Sequence, residues 1–87
     1  MFEDKIFLER NVHGGTQVVY KFDNNYGASV VNHSGSYGQE LAVILFESDG
    51  EWHLNYDTPI TDDVIGYMSD EELEATLQAI SELPPKA

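Results

Sequence analysis

The spacing of apolar residues changes once along this chain, and that change limits the folds open to it. In Val18, Tyr20, Phe22 and again in Trp52, Leu54, Tyr56, apolar positions fall at every second residue. Such alternation puts one set of side chains on one face of a strand. After Ser69 the apolar positions are Leu73, Leu77, Ile80 and Leu83, the stripe of an amphipathic helix. Strands first and a helix last predict the α+β class. The links between strands are short, so neighbours pair antiparallel. The expected architecture is a four- to five-stranded antiparallel sheet with one face packed against one C-terminal helix. Residues 1–87 suit a single domain with one core and one pair of layers.

Turn residues divide the strands. Lys5 to Val12 reads as the first, ended by Gly14-Gly15, and Thr16 to Phe22 as the second, ended by Asp23-Asn24-Asn25. On the second strand Val18, Tyr20 and Phe22 share one face, and Val19 and Lys21 the other. Tyr26 to Asn32 is a third, glycine-interrupted strand, followed by a polar loop from His33 to Gly38. Glu40 to Phe46 is the most apolar run and the expected central strand. Asp49-Gly50 marks a hairpin into Trp52–Tyr56. Pro59 stops strand character, and Thr61 or Asp62 is placed to cap a short helical turn through Tyr67. Ser69 and Glu72 form a capping box for the last helix, and Pro84-Pro85 ends it.

Charge is unevenly spread. The net charge is -12, from 16 acids against 4 bases. Residues 1–43 are nearly balanced, whereas residues 44–87 hold eleven acids and one base, Lys86. Direct nucleic-acid binding is disfavoured, because phosphate binding needs clustered Lys and Arg. A partner with a basic surface is favoured, since opposite charge speeds encounter. The plainer alternative is that the acidity serves solubility. No cysteine is present, which points to a reducing compartment. The charged start of the chain and the lack of a long apolar run predict no signal peptide and no membrane span.

No catalytic or cofactor motif rises above background. His13, His33 and His53 lack any His-x-x-x-His pairing that would preorganise a metal. Asp57, Asp62 and Asp63 do not follow the order of a calcium loop, and capping or turn roles account for them. Gly27, Gly35 and Gly38 do not fit a phosphate loop. Ser29, Ser34 and Ser36 have His33 nearby in sequence, but adjacent residues of an extended segment point to opposite faces. The tyrosines lack the basic neighbours of a base-stacking sheet. The expectation is therefore no enzyme, no catalytic residue, no metal and no cofactor.

Three stretches carry a resemblance: Tyr26-Gly27-Ala28-Ser29-Val30-Val31-Asn32-His33 with Ser36-Tyr37-Gly38, then Glu40-Leu41-Ala42-Val43, then Tyr56-Asp57-Thr58-Pro59-Ile60-Thr61-Asp62-Asp63-Val64. Together they resemble a small acidic protein of tailed bacteriophages and prophages, over roughly residues 15–83. The resemblance transfers no activity or active site. It implies a location in the cytoplasm of a host bacterial cell. The expected function is a phage accessory protein that binds a host protein, in the manner of DNA-mimic inhibitors of restriction, CRISPR or transcription machinery. The candidate contact residues are Asp49, Glu51, Asp57, Asp62, Asp63, Asp70, Glu71 and Glu74, with Tyr26 and Tyr37 from the Tyr/Gly/Asn segment. The alternative is a small homo-oligomeric module, such as a homodimer, or a ligand-binding module, built on that segment.

Overall fold

Runs of β-branched and aromatic residues, each closed by a turn, build one antiparallel sheet. The computed structural model describes residues 2–12, 14–33, 39–55, 58, 60 and 65–85. Its strands are β1 (Ile6–Val12), β2 (Gly15–Lys21), β3 (Tyr26–His33), β4 (Gln39–Phe46), β5 (Trp52–Leu54) and β6 (Ile65–Met68). Among the described residues the one α-helix, α1, spans Asp70–Ser81, and a 3₁₀ turn at Glu3–Lys5 precedes β1. β1 to β5 lie side by side in chain order. β3 pairs with one edge of β4. On its other edge, β5 pairs at Ile44–Phe46 and β6 at Gln39–Leu41. The α+β class expected from the sequence is the class of the structure. No helix among the described residues is long and apolar enough to cross a membrane.

The sixth strand corrects one expectation. The sequence places a helical turn up to Tyr67, but Ile65–Met68 is extended and pairs with β4. The physical reason is a vacancy. β5 is only three residues long and leaves half of the β4 edge unpaired. Unpaired backbone groups are costly when buried, and a short Ile-Gly-Tyr-Met segment can satisfy them. The proposed caps Thr61 and Asp62 lie outside the described residues.

One sheet face is covered by α1. Phe22, Tyr26, Ala28, Val30, Leu41, Val43 and Met68 are buried there against Leu77 and Ile80. Leu73 and Leu83 pack on the same core. Asn24, in the β2–β3 turn, is buried and holds the far end of the helix. Its Nδ2 donates to the carbonyls of Ile80 (2.9 Å), Ser81 (3.3 Å) and Leu83 (2.9 Å). Its Oδ1 accepts from the Tyr26 N–H at 3.0 Å. The last carbonyls of a helix lack partners within it, and α1 has no base in its last turn to serve them. Asn24 does so from across the chain.

Among the described residues the opposite face has no helix, yet Val19, Ile44 and Phe46 are buried on it, with Leu8 and Trp52 packed around them. Two local devices close this cluster. A bulge between Ile6 and Leu8 adds a residue to β1, and the extra Phe7 ring meets Phe46 edge-on at 4.9 Å. Gly27 lets the Phe46 ring settle. A Cβ there would sit 2.0 Å from the Tyr20 carbonyl oxygen and 2.9 Å from Phe46 Cε2. Lys21 Nζ lies 5.5 Å above the same ring. A chain of side-chain hydrogen bonds runs beside the cluster, from Arg10 Nε to Gln17 Oε1 (2.6 Å) and from Gln17 Nε2 to Ser29 Oγ (2.8 Å). On β5 the expected buried stripe is only half formed. Trp52 is half-buried but Leu54 is 48% exposed, because their face is the one without a helix. Asn55, expected on the polar side, is buried instead.

Candidate binding surface

The helix is built to present acids. Ser69 Oγ accepts from the Glu72 N–H at 3.1 Å, and the Ser69 N–H donates to Glu72 Oε1 at 3.2 Å. This is the capping box expected from the sequence. Carboxylates in the first turn, at Asp70, Glu71 and Glu72, are stabilised by the positive end of the helix dipole. The apolar stripe faces the sheet, so Glu71, Glu74, Gln78 and Glu82 remain exposed. No Lys or Arg interrupts the run from Asp70 to Ser81.

A cleft opens beside this helix. The start of the chain folds back so that Phe2 and Glu3 face the first two turns of α1. Phe2 has φ 43°, a left-handed conformation unusual for a bulky residue, and its ring packs edge-on against Phe22 at 5.5 Å. The cleft has a volume of about 370 Å³. Its apolar lining is Phe2, Tyr20, Leu73 and Leu77, and its acidic lining is Glu3, Asp70 and Glu74. A shallower groove continues along the outer face of the helix past Asp4, Lys5, Glu71 and Gln78. Lys5 is engaged elsewhere, with Asp23 Oδ1 at 3.1 Å. Asp70 accepts from Gln39 Nε2 at 2.9 Å. The Tyr20 hydroxyl is pushed above the ordinary tyrosine range, first by burial and then by the nearby Glu3 and Glu9 carboxylates. It therefore stays a neutral hydroxyl at physiological pH.

The structure separates the acids that the sequence groups together. Asp49 and Glu51 are exposed in the β4–β5 turn, beyond Phe46, where Asp49 Oδ1 accepts from the Glu51 N–H at 3.0 Å. Asp70 follows β6, whose Met68 pairs with Gln39 at the other end of β4. The seven steps along β4 from Gln39 to Phe46 separate them, roughly 24 Å at ~3.4 Å each. The two groups thus form two patches rather than one. Asp70, Glu71 and Glu74 stand together at the cleft. Tyr26 is not a surface residue, being 8% exposed in the core under α1. Strand alternation accounts for this, since Tyr26 shares its face with Ala28 and Val30. Asp57, Asp62, Asp63 and Tyr37 lie outside the described residues.

Phe2, Glu3, Tyr20 and Leu73 were not expected as site residues. Only the apolar Phe2 next to two acids hints at them in sequence. Of the residues weighed for chemistry, Ser29 is buried and bonded to Gln17, while His53 is exposed with Nδ1 3.5 Å from Glu47. Among the described residues no three His, Cys, Asp or Glu side chains are grouped to hold a metal. The chain matches no protein family, no curated protein and no solved structure.

Proposed function

We propose that this protein is a non-enzymatic binding module that captures a basic protein surface through the outer face of α1. One observation carries the reading: the helix and its C-cap expose Asp70, Glu71, Glu72, Glu74 and Glu82 with no base among them. Such a face raises the encounter rate with a positively charged partner. The resemblance to small phage proteins makes the partner a host protein, and a nucleic-acid-handling one has the required basic surface. Inhibition or redirection of restriction, CRISPR or transcription machinery fits that chemistry.

Affinity capture from bacterial lysate with mass spectrometry identifies the partner, and stopped-flow association at two salt concentrations tests the mode. Reversal of Glu71 and Glu74 to Lys should slow association about ten-fold at low salt. Reversal of Glu47 and Glu51, at the far end of β4, should matter much less. Equal rates for both double variants, or rates insensitive to salt, would leave the acidity as a solubility device. A second reading, self-association, is favoured by the exposed apolar side chains Ile6, Phe7 and Leu54 on strands β1 and β5. Light scattering after size exclusion tests it, and a monomer at high concentration removes it.

A further inference from the structure

We infer that the cleft between the 3₁₀ turn and α1 receives one lysine or arginine side chain of the partner. The inference rests on the proposed capture of a basic surface and names the anchor of that contact. The cleft carries both kinds of group that such a side chain can meet. Its apolar part, Phe2, Tyr20, Leu73 and Leu77, matches an aliphatic stem. Its carboxylates, Asp70 and Glu74 beside Glu3, match the terminal cation. Two of the apolar groups are aromatic, and a cation near an aromatic face gains further attraction. At about 370 Å³ the cleft lies at the lower end of the range for ligand pockets and has room for one inserted side chain. The base that lines the adjoining groove, Lys5, is paired with Asp23. Asp70 is held by Gln39, which fixes one carboxylate before binding.

The contact uses stem and charge together, and these can be separated. The probes are two decapeptides of alternating glycine and cation, one with lysine and one with 2,4-diaminobutyric acid, compared at mildly acidic pH where both amines are protonated. They carry the same number of cations, but the second has two fewer methylenes per side chain. Binding to the whole chain is measured by calorimetry at low salt, with amide chemical shifts to locate the contact. The lysine peptide should bind about ten-fold more tightly, in keeping with burial of the extra methylenes, and should shift Tyr20, Leu73 and Glu74 most. Glu74→Gln should weaken it roughly five-fold, while Glu82→Gln, at the C-cap of the helix and outside the cleft lining, should change it less than about two-fold. Equal binding of both peptides, or equal losses in both variants, overturns the insertion and leaves capture by surface charge standing. If neither peptide binds, the capture reading itself fails and takes the insertion with it.

Discussion

The two faces of the sheet exclude water by different means. Under α1, burial comes from a partner far along the chain: Leu77 and Ile80 meet Phe22, Tyr26 and Val43. On the other face, Val19, Ile44 and Phe46 are buried by neighbours in adjacent strands, with a bulge that adds Phe7 and a glycine that admits the Phe46 ring. The first cluster depends on docking a separate layer. The second depends on how closely the strands themselves approach. A small chain can thus give a bare sheet face a core of its own, provided the backbone geometry at a few positions is kept.

Gly27 is where that dependence is sharpest. Gly27→Ala should be the most damaging single change, at ~4 kcal/mol or more, because the new Cβ meets a backbone carbonyl that cannot turn aside. Chemical denaturation checks it. A loss under ~1 kcal/mol would show that the strands have slack and that the face is not set by close approach. Next comes Leu77→Ala, expected to cost ~2–5 kcal/mol as a buried truncation. Leu54→Ala, on the face without a helix and half exposed, should cost well under half of that. Similar losses at Leu77 and Leu54 would erase the contrast between the faces.

The features readable from the sequence are those with local causes. The capping box needs only Ser69 and Glu72, and the helical stripe needs only its own spacing, so both are plain in the chain. β6 is not, because its extended form depends on an edge of β4 that β5 fails to fill. The burial of Tyr26 follows from alternation, but an aromatic in a Tyr/Gly/Asn run also reads as a contact residue. The cleft needs Phe2 and Tyr20 to meet Leu73 across most of the chain, and no short pattern announces that. Asn24 carries turn chemistry in its sequence and helix capping only in its fold.

Two smaller effects sharpen the picture of the helical side. Ser69→Ala should destabilise by ~1 kcal/mol, the usual loss for an N-cap, and should lower helical circular dichroism without touching the opposite face. No change in the denaturation midpoint would mean that packing alone holds the first turn. The smallest effect is a pH dependence. The Tyr20 hydroxyl has its pKa raised in the folded state, so the fold prefers the neutral phenol. That preference contributes its full stability below the ordinary tyrosine value near 10.0 and is lost as pH rises through the raised value. Tyr20→Phe should therefore lose less stability than the parent between neutral and strongly alkaline pH. Parallel curves for the two proteins would place the Tyr20 hydroxyl in water.

Asn24 ties the order of events in folding to the position of the helix. Its side chain joins a hairpin turn to carbonyls 56 to 59 residues later, and no local helix can supply that contact before the sheet exists. The last turn of α1 therefore has a stable end only after docking. Hydrogen exchange should register this as shared protection: the amides of the β2–β3 turn and those around Leu83 open together, in one cooperative unit, while the Ser69 end, capped by its own neighbours, opens on its own. The helix is thus fastened at one end by its own sequence and at the other by the sheet.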